Sequence, residues 1–354
     1  MKPTILIVSD VEYSALSIAA RSRAKIQRAE IIYAINYKTP TLLLRELIAK
    51  RPEIILFSWR QALIDVLNVS TAEKVRALRS HSKLAVLIPD HLGISTNLQL
   101  AEIALLNYVD YYLVTSEVLY DIYSNAPGVP RPLGVLHDIP DVDLIRKVRT
   151  EAREKELSKA IWVGNSTWGI NQGFNDHKGF YSVIKPLSAL FEGHNECTKF
   201  EIIDSAKGRK SNIDVLRTIS TSSVLLQSSV SEGTGLPILE ALGLGVTPVT
   251  TDVGIAREVL RMNKGLIIPR DPTVFHSLVH QERLAPTLSK EDAIEIFETY
   301  ISSISSEEIP SDVQEVIIAM KWSQPRLLVE IRVFSRWVLR FYLNLAKRKK
   351  ILLR

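Results

Sequence analysis

Two glutamates eight positions apart, Glu232 and Glu240, frame the stretch of this chain whose residue types could do chemistry. The apolar run Val224–Gln227 leads into Glu232-Gly233-Thr234-Gly235-Leu236-Pro237, and an apolar helical pattern follows. This is a strand, a glycine loop and a helix. Gly233 and Gly235 let the backbone turn tightly and lie close to a ligand. Pro237 suits a first helical turn, where its missing N–H costs nothing. The N–H groups of Thr234, Gly235 and Leu236 then open at a helix N-terminus, where a diphosphate fits. Glu240 sits about one turn into that helix, facing back to the loop. Its carboxylate can accept two hydroxyl hydrogen bonds, as from a ribose diol. Glu232 lies on the loop and meets whatever extends beyond the phosphates. A Gly-x-Gly before a helix is common in α/β proteins, and Glu240 could also be a solvated helix residue. The two carboxylates together with the intervening Gly, Pro and apolar residues form the more specific pattern.

Two further clusters carry candidate groups. Ile161-Trp162-Val163 reads as a strand ending at Gly164-Asn165-Ser166, and a long loop reaches His177-Lys178-Gly179. Lys178 is a cation placed to act where negative charge develops; the alternative is that it only begins a helix over 180–191. Pro89-Asp90-His91 follows the fourth apolar run. His91 there can orient a hydroxyl with help from Asp90, although an Asp-His at a strand end is as often a local turn. Asp10 ends the first run, as in receiver domains, but Ser58 and Trp59 stand after the third run where a receiver needs its Asp, which excludes that class. No clustered His/Cys ligand set is present in the sequence, and neither a metal nor a cofactor is expected.

These groups need a frame to hold them. The runs Ile5–Val8, Ile31–Ile35, Ile54–Phe57, Leu84–Ile88 and Tyr111–Val114 have strand length and alternate with helical patterns. After the Pro/Gly cluster at 125–132 and a charged helical stretch, Asp141–Lys159, the alternation restarts at Ile161. It continues through Phe200–Ile203, Val224–Leu226, Val246–Thr250 and Leu266–Ile268. Helices are expected over about 289–303, 311–320 and 326–348. The pattern predicts an α/β protein with two parallel-sheet domains, 1–155 and 156–320, and a basic amphipathic C-terminal helix over 321–354. Ligands in such folds sit at the carboxyl ends of the strands.

The segment from Ser228 to Gly245 resembles the E-x7-E element of retaining glycosyltransferases of the GT-B fold, in particular glycosyltransferase family 4 (group 1). Gly245 to Val259 is similar to that family's continuation, and the Gly164…Lys178-Gly179 pair resembles its strand–Gly…Lys-Gly element. The resemblance is specific over 215–260 and only architectural in the N-terminal half. It implies two Rossmann-like domains facing a cleft. It further implies transfer of a sugar from a nucleotide-diphosphate donor to a hydroxyl with retained configuration and no metal. Glu232 then contacts the donor sugar, Glu240 holds the ribose, and Lys178 neutralises the diphosphate. Gly164, Asn165, Gly233, Thr234, Gly235 and Leu236 line the donor, with His91 close to the sugar. Asn165 stands where the family commonly has Arg, so one phosphate-binding cation has no counterpart. A sugar-nucleotide epimerase or a non-catalytic sugar-nucleotide-binding protein on the same scaffold are the competing readings.

Composition bounds the setting. A single cysteine, Cys197, cannot form an internal disulfide and fits a reducing cytosol. The first apolar run is too short for a signal-peptide core and reads as a buried strand. The net charge of +5 is uneven: nine Lys/Arg and one Glu between Arg326 and Arg354 give that segment +8 and leave −3 on the rest. An acidic body argues against nucleic-acid binding. Leu327, Ile331, Phe334, Val338, Phe341 and Leu345 form an apolar stripe beside the stripe Arg332, Arg336, Arg340, with Lys347-Arg348-Lys349-Lys350 beyond. Such a helix either packs across the domains or lies on an anionic membrane. A cytoplasmic body, peripheral on the inner face of the plasma membrane and acting on a glycan or lipid-linked acceptor, is the expected arrangement. Flotation with anionic vesicles tests this. Binding should fall as salt rises and should be lost when residues 347–350 are replaced by Gln. Binding that ignores both leaves the segment a packing helix.

Overall fold

The computed structural model describes residues 4–12, 14–91, 99–151, 159–170, 173–193, 199–261, 266–280 and 288–310. Their strands form two sheets. The first contains β1 (Ile5–Ser9), β2 (Glu30–Tyr33), β3 (Ile54–Phe57), β4 (Lys83–Ile88), β5 (Tyr111–Val114) and β6 (Gly134–Val135), in the order β2-β1-β3-β4-β5-β6. The second contains β7 (Lys159–Gly164), β8 (Lys199–Asp204), β9 (Val224–Gln227) and β10 (Thr247–Thr250), in the order β10-β9-β7-β8. The pairings in both sheets are parallel. This is the GT-B architecture of two Rossmann-like units.

Both faces of the first sheet are covered, which is why its strands read as unbroken apolar runs. Leu6, Val8, Ile55, Phe57, Val86, Ile88 and Val114 enter one core, and Ile7, Ile54, Leu56, Ala85, Leu87 and Leu113 enter the other. Helices between the strands start where the sequence supplies a cap. Ser14, Thr39, Thr71 and Ser116 each accept from the backbone N–H three residues on.

Several sequence expectations change. Leu266–Ile268 is not a strand; only Ile267 bridges to Thr250, so the run is held by a single parallel contact. The run at Ile31–Ile35 stops at Tyr33, where Ala34–Asn36 tightens into a 3-10 turn. The helix over 180–191 opens as a π-turn, Phe180–Ile184, before the regular helix Lys185–Gly193. The helices expected at 311–320 and 326–348, with the basic stripe, lie outside the described residues.

Among the described residues the chain crosses between the units twice. Helix Val142–Thr150, which precedes the boundary expected at 155, sends Ile145 and Val148 into the core of the second sheet, beside Leu239, Leu242, Phe297 and Ile301. After helix Lys290–Ser305 the chain returns. Ile309 enters a core of the first sheet, and Tyr111 Oη donates to the Pro310 carbonyl at 2.8 Å.

Both crossings meet at His137, which is buried. Its Nδ1 lies 2.5 Å from Glu307 Oε1, and its Nε2 lies 2.8 Å from Glu258 Oε2. Arg23 donates to the His137 carbonyl at 2.5 Å and to the Glu307 carbonyl at 3.0 Å, and Tyr300 Oη donates to Glu258 at 3.1 Å. Burial alone would lower the imidazole's affinity for its proton, but hydrogen bonds to Glu258 and Glu307, and their charges, push it up to about 9. A raised pKa contributes stability that is complete below the ordinary value of 6.5 and is lost as pH rises through about 9. His137→Gln should therefore cost about 3 kcal/mol at neutral pH. The gap in melting temperature between variant and wild type should close as pH climbs past about 9. A pH-independent gap would show that His137 acts only by packing.

Candidate functional site

In the second sheet the chain leaves β7 for β8 on one side and then places β9 on the other. The loops after β7 and β9 therefore diverge from neighbouring strand ends, the crevice where parallel α/β sheets bind ligands. The sequence-derived residues converge there. Gly164 ends β7, Lys178 closes the loop that follows, and Glu232 lies on the loop after β9.

Lys178 Nζ is 2.5 Å from Glu232 Oε1. The same oxygen accepts from Gln227 Nε2 at 2.8 Å and from the Ser229 hydroxyl. The face of Trp168 lies 5.1 Å from Lys178 Nζ, near enough for a cation–π contact. Trp168 in turn stacks against His177, with centroids 4.5 Å apart. The ammonium is thus held between a carboxylate and a ring and remains partly exposed, at 20%. Behind these loops Arg270 donates from Nε to the Ser228 carbonyl at 3.0 Å and from its guanidinium to Asp176 Oδ2 at 3.1 Å. Asp176 Oδ1 and Oδ2 also accept from the N–H groups of Tyr181 and Ser182. Arg270 and Asp176 fasten the Lys178 loop to the Glu232 loop.

Helix Leu236–Gly243 starts at Gly235, whose φ of 82° is left-handed, and no side chain caps it. Pro237 has no N–H and Ile238 N–H donates to the Gly235 carbonyl at 2.9 Å, so the donors at this mouth are the N–H groups of Thr234, Gly235 and Leu236 ahead of them. Glu240 is buried, at 7% exposure. Burial pushes its carboxyl up to about 7, helped by the charge of Asp141. No described residue hydrogen-bonds that carboxyl. Thr234 turns its hydroxyl away from the helix mouth, to Asp138 Oδ2 and the Thr115 carbonyl, each at 3.1 Å. Burial raises Asp138 to about 6, with the Thr234 bond opposing it. Asn165 uses its carboxamide oxygen locally, accepting from the N–H and hydroxyl of Thr167 at 3.0 Å.

The first sheet approaches through the ends of β4 and β5. A β-carbon on Gly233 would stand 2.1 Å from the Pro89 carbonyl oxygen and 2.6 Å from Thr115 Oγ1, so only glycine fits. His91 Nδ1 lies 2.7 Å from Ser231 Oγ, which brings His91 beside the Glu232 loop. Asp90 pairs with Arg60 at 3.0 Å and acts on His91 through its charge. Gln227, Ser229, Arg270 and Trp168 carry the site's geometry, yet sequence reading assigns them no role. Only the uncommon polar end of β9, Gln227-Ser228-Ser229, offered a signal.

The buried Glu240 carboxyl gives a prediction with a sign. A carboxyl whose pKa is raised on folding weakens the fold progressively as pH climbs from its ordinary value of 4.5, where the unfolded chain ionises first, and the loss is complete above about 7. Glu240→Gln should stabilise the unliganded protein at alkaline pH by on the order of 2 kcal/mol. Nucleotide-diphosphate binding should weaken about tenfold or more. Thermal unfolding with and without nucleotide checks both; a variant that binds nucleotide normally removes Glu240 from the site.

Comparisons with known proteins bear on the family and the fold. Residues 205–280, which contain both glutamates, match the family model for glycosyl transferases group 1. Comparison with curated protein sequences gives no match. Solved structures align over nearly the whole chain. Anabaena Alr3699/HepE in complex with UDP-glucose superposes with a TM-score of 0.61 at 14% identity, covering 90% of this chain and 100% of that one. The same protein with UDP and glucose gives 0.60. Trehalose-6-phosphate synthase, OtsA, gives 0.56 at 11% identity, covering 86% of this chain and 99% of that one. At these identities the likeness establishes the fold.

Proposed function

We propose that this protein is a glycosyltransferase that moves a sugar from a nucleotide-diphosphate donor to a hydroxyl acceptor with retained configuration. The observation that carries the reading is the Lys178–Glu232 contact of 2.5 Å beside the uncapped N-terminus of helix Leu236–Gly243. One cation and a set of open N–H groups then share the diphosphate. Glu240 takes the ribose diol one turn further in. Glu232 meets the sugar, and the diphosphate replaces it as the partner of Lys178. Gly164, Asn165, Gly233 and Leu236 line the donor, and Thr234 contributes through its backbone.

In the reaction the bond between the anomeric carbon and the diphosphate oxygen breaks, and the acceptor oxygen bonds to that carbon on the same face. The acceptor proton passes to the departing phosphate oxygen, so no separate base is required. Charge accumulates on that oxygen, where Lys178 and the N–H groups stabilise it more in the transition state than in the ground state. The mechanism draws on Lys178 and the helix N-terminus for this charge. Anabaena HepE with UDP-glucose supports a uridine donor as the first to try. No described helix is long and apolar enough to cross a membrane. With the basic segment beyond residue 325, a peripheral place on an anionic membrane and a role in cell-surface polysaccharide or glycolipid assembly complete the reading.

The test is turnover with a panel of UDP-, GDP- and ADP-sugars, read as released nucleotide diphosphate, with product configuration read by proton NMR. Lys178→Ala should lower kcat about 100-fold, more than it weakens donor binding. Release of nucleotide with inverted product would overturn retention, and an epimerised donor with no release would favour the epimerase. Nucleotide binding without turnover would favour a binding protein.

A further inference from the structure

Ser231 precedes Glu232 in the loop after β9, and its two polar groups reach in different directions. Its carbonyl oxygen lies 2.8 Å from His177 Nε2. A carbonyl can only accept, so His177 carries its proton on Nε2 and donates it there. The Ser231 hydroxyl lies 2.7 Å from His91 Nδ1, which follows β4 of the other sheet. Ser231 therefore ties together the loop of Lys178, the loop of Glu232 and the first sheet.

The bond to His91 could run in either sense. If Nδ1–H donated to the hydroxyl, the serine's own proton would be left to solvent, because no described residue accepts it. If the hydroxyl donates, its proton and the Nδ1 lone pair are both satisfied. His91 is then neutral, with its proton on Nε2, where no described residue accepts from it. Burial, only partly offset by the charge of Asp90, holds His91 below its ordinary value, in keeping with a neutral ring.

We infer that the Ser231 hydroxyl donates to His91 Nδ1 and fixes the Nε2–H tautomer, so that His91 serves as a hydrogen-bond donor to a hydroxyl of the donor sugar and Ser231 is its positioning residue. This rests on the glycosyl-transfer reading above. His91 on this account orients the sugar and moves no proton, which agrees with an acceptor proton that leaves on the phosphate. The bond spans the two sheets, so His91 is set in its donating form only when the sheets are close.

The experiment uses the full chain with isotope-labelled histidine ring nitrogens. His91→Gln identifies the His91 signal by its loss. The unliganded wild type should show His91 protonated on Nε2, with Nδ1 accepting a hydrogen bond. Ser231→Ala should move that signal toward a tautomer mixture, and Ser231→Thr should keep it. With a donor that turns over, Ser231→Ala should lower kcat about tenfold while the affinity for UDP stays within about twofold, and Ser231→Thr should restore the rate. A wild-type His91 protonated on Nδ1, or a His91 signal or kcat indifferent to Ser231→Ala, overturns the inference even when sugar is transferred. If no sugar nucleotide turns over, the functional reading falls and His91 loses the sugar it is to hold, whereas the tautomer still decides the Ser231–His91 bond itself.

Discussion

The site depends on the approach of the Glu232 loop to the strand ends of the other sheet, and that approach depends on a missing side chain. At Gly233 the backbone presses against the Pro89 carbonyl and Thr115, where a β-carbon would collide with both. Once the loop is that close, short polar side chains can span the gap. Ser231 reaches His91, and Thr234 reaches Thr115 and Asp138. Longer side chains would be needed at a wider separation, and they would lose more rotamer freedom in holding the same geometry. The glycines of this loop therefore serve the contact between sheets as well as the phosphate site read from their spacing.

Within the donor unit the electrostatics divide by burial. Lys178 and Glu232 keep access to solvent and pair with each other, so each is satisfied before a ligand arrives. Glu240 has no such partner and is held near neutrality by burial. A site of this kind carries a cost in the resting fold, as binding sites commonly do. The shared oxygen of Glu232 is the opposite case. Three donors meet it, so the loop that carries it is fixed by the same bonds that tune it.

The sequence makes local features legible and long-range ones obscure. β1, β3, β4 and β5 are visible because burial on both faces leaves unbroken apolar runs. The glutamate pair is visible because one loop and one helix carry both members. Leu266–Ile268 looks like a strand by composition, but a strand needs a ladder, and Thr250 gives it only one bridge. Arg270 lies 42 residues beyond its Ser228 partner and 94 beyond Asp176. Nothing in its neighbours announces either contact. His137 is similar: its two carboxylates come from positions 121 and 170 residues away. The tail at 311–354 lies outside the described residues, and its sequence pattern remains the basis for its reading.

The double crossing of the chain has a mechanical meaning. Two bodies joined by a single strand of chain can slide, twist and bend. Here the outgoing segment at His137 and the returning segment at Glu307 are bonded to each other, with the His137 N–H 2.9 Å from Glu307 Oε2. Arg23 grips both from the helix Ala15–Gln27 of the first unit. A pair of tethers pinned at one spot removes translation and leaves rotation about that spot as the low-cost motion. The Glu232 loop is itself bonded beside that spot, Thr234 to Asp138, so a rotation there bears on the Ser231–His91 and Gly233–Pro89 contacts. The two sheets are thus fastened to each other at the same spot from which the donor loop takes one of its own bonds.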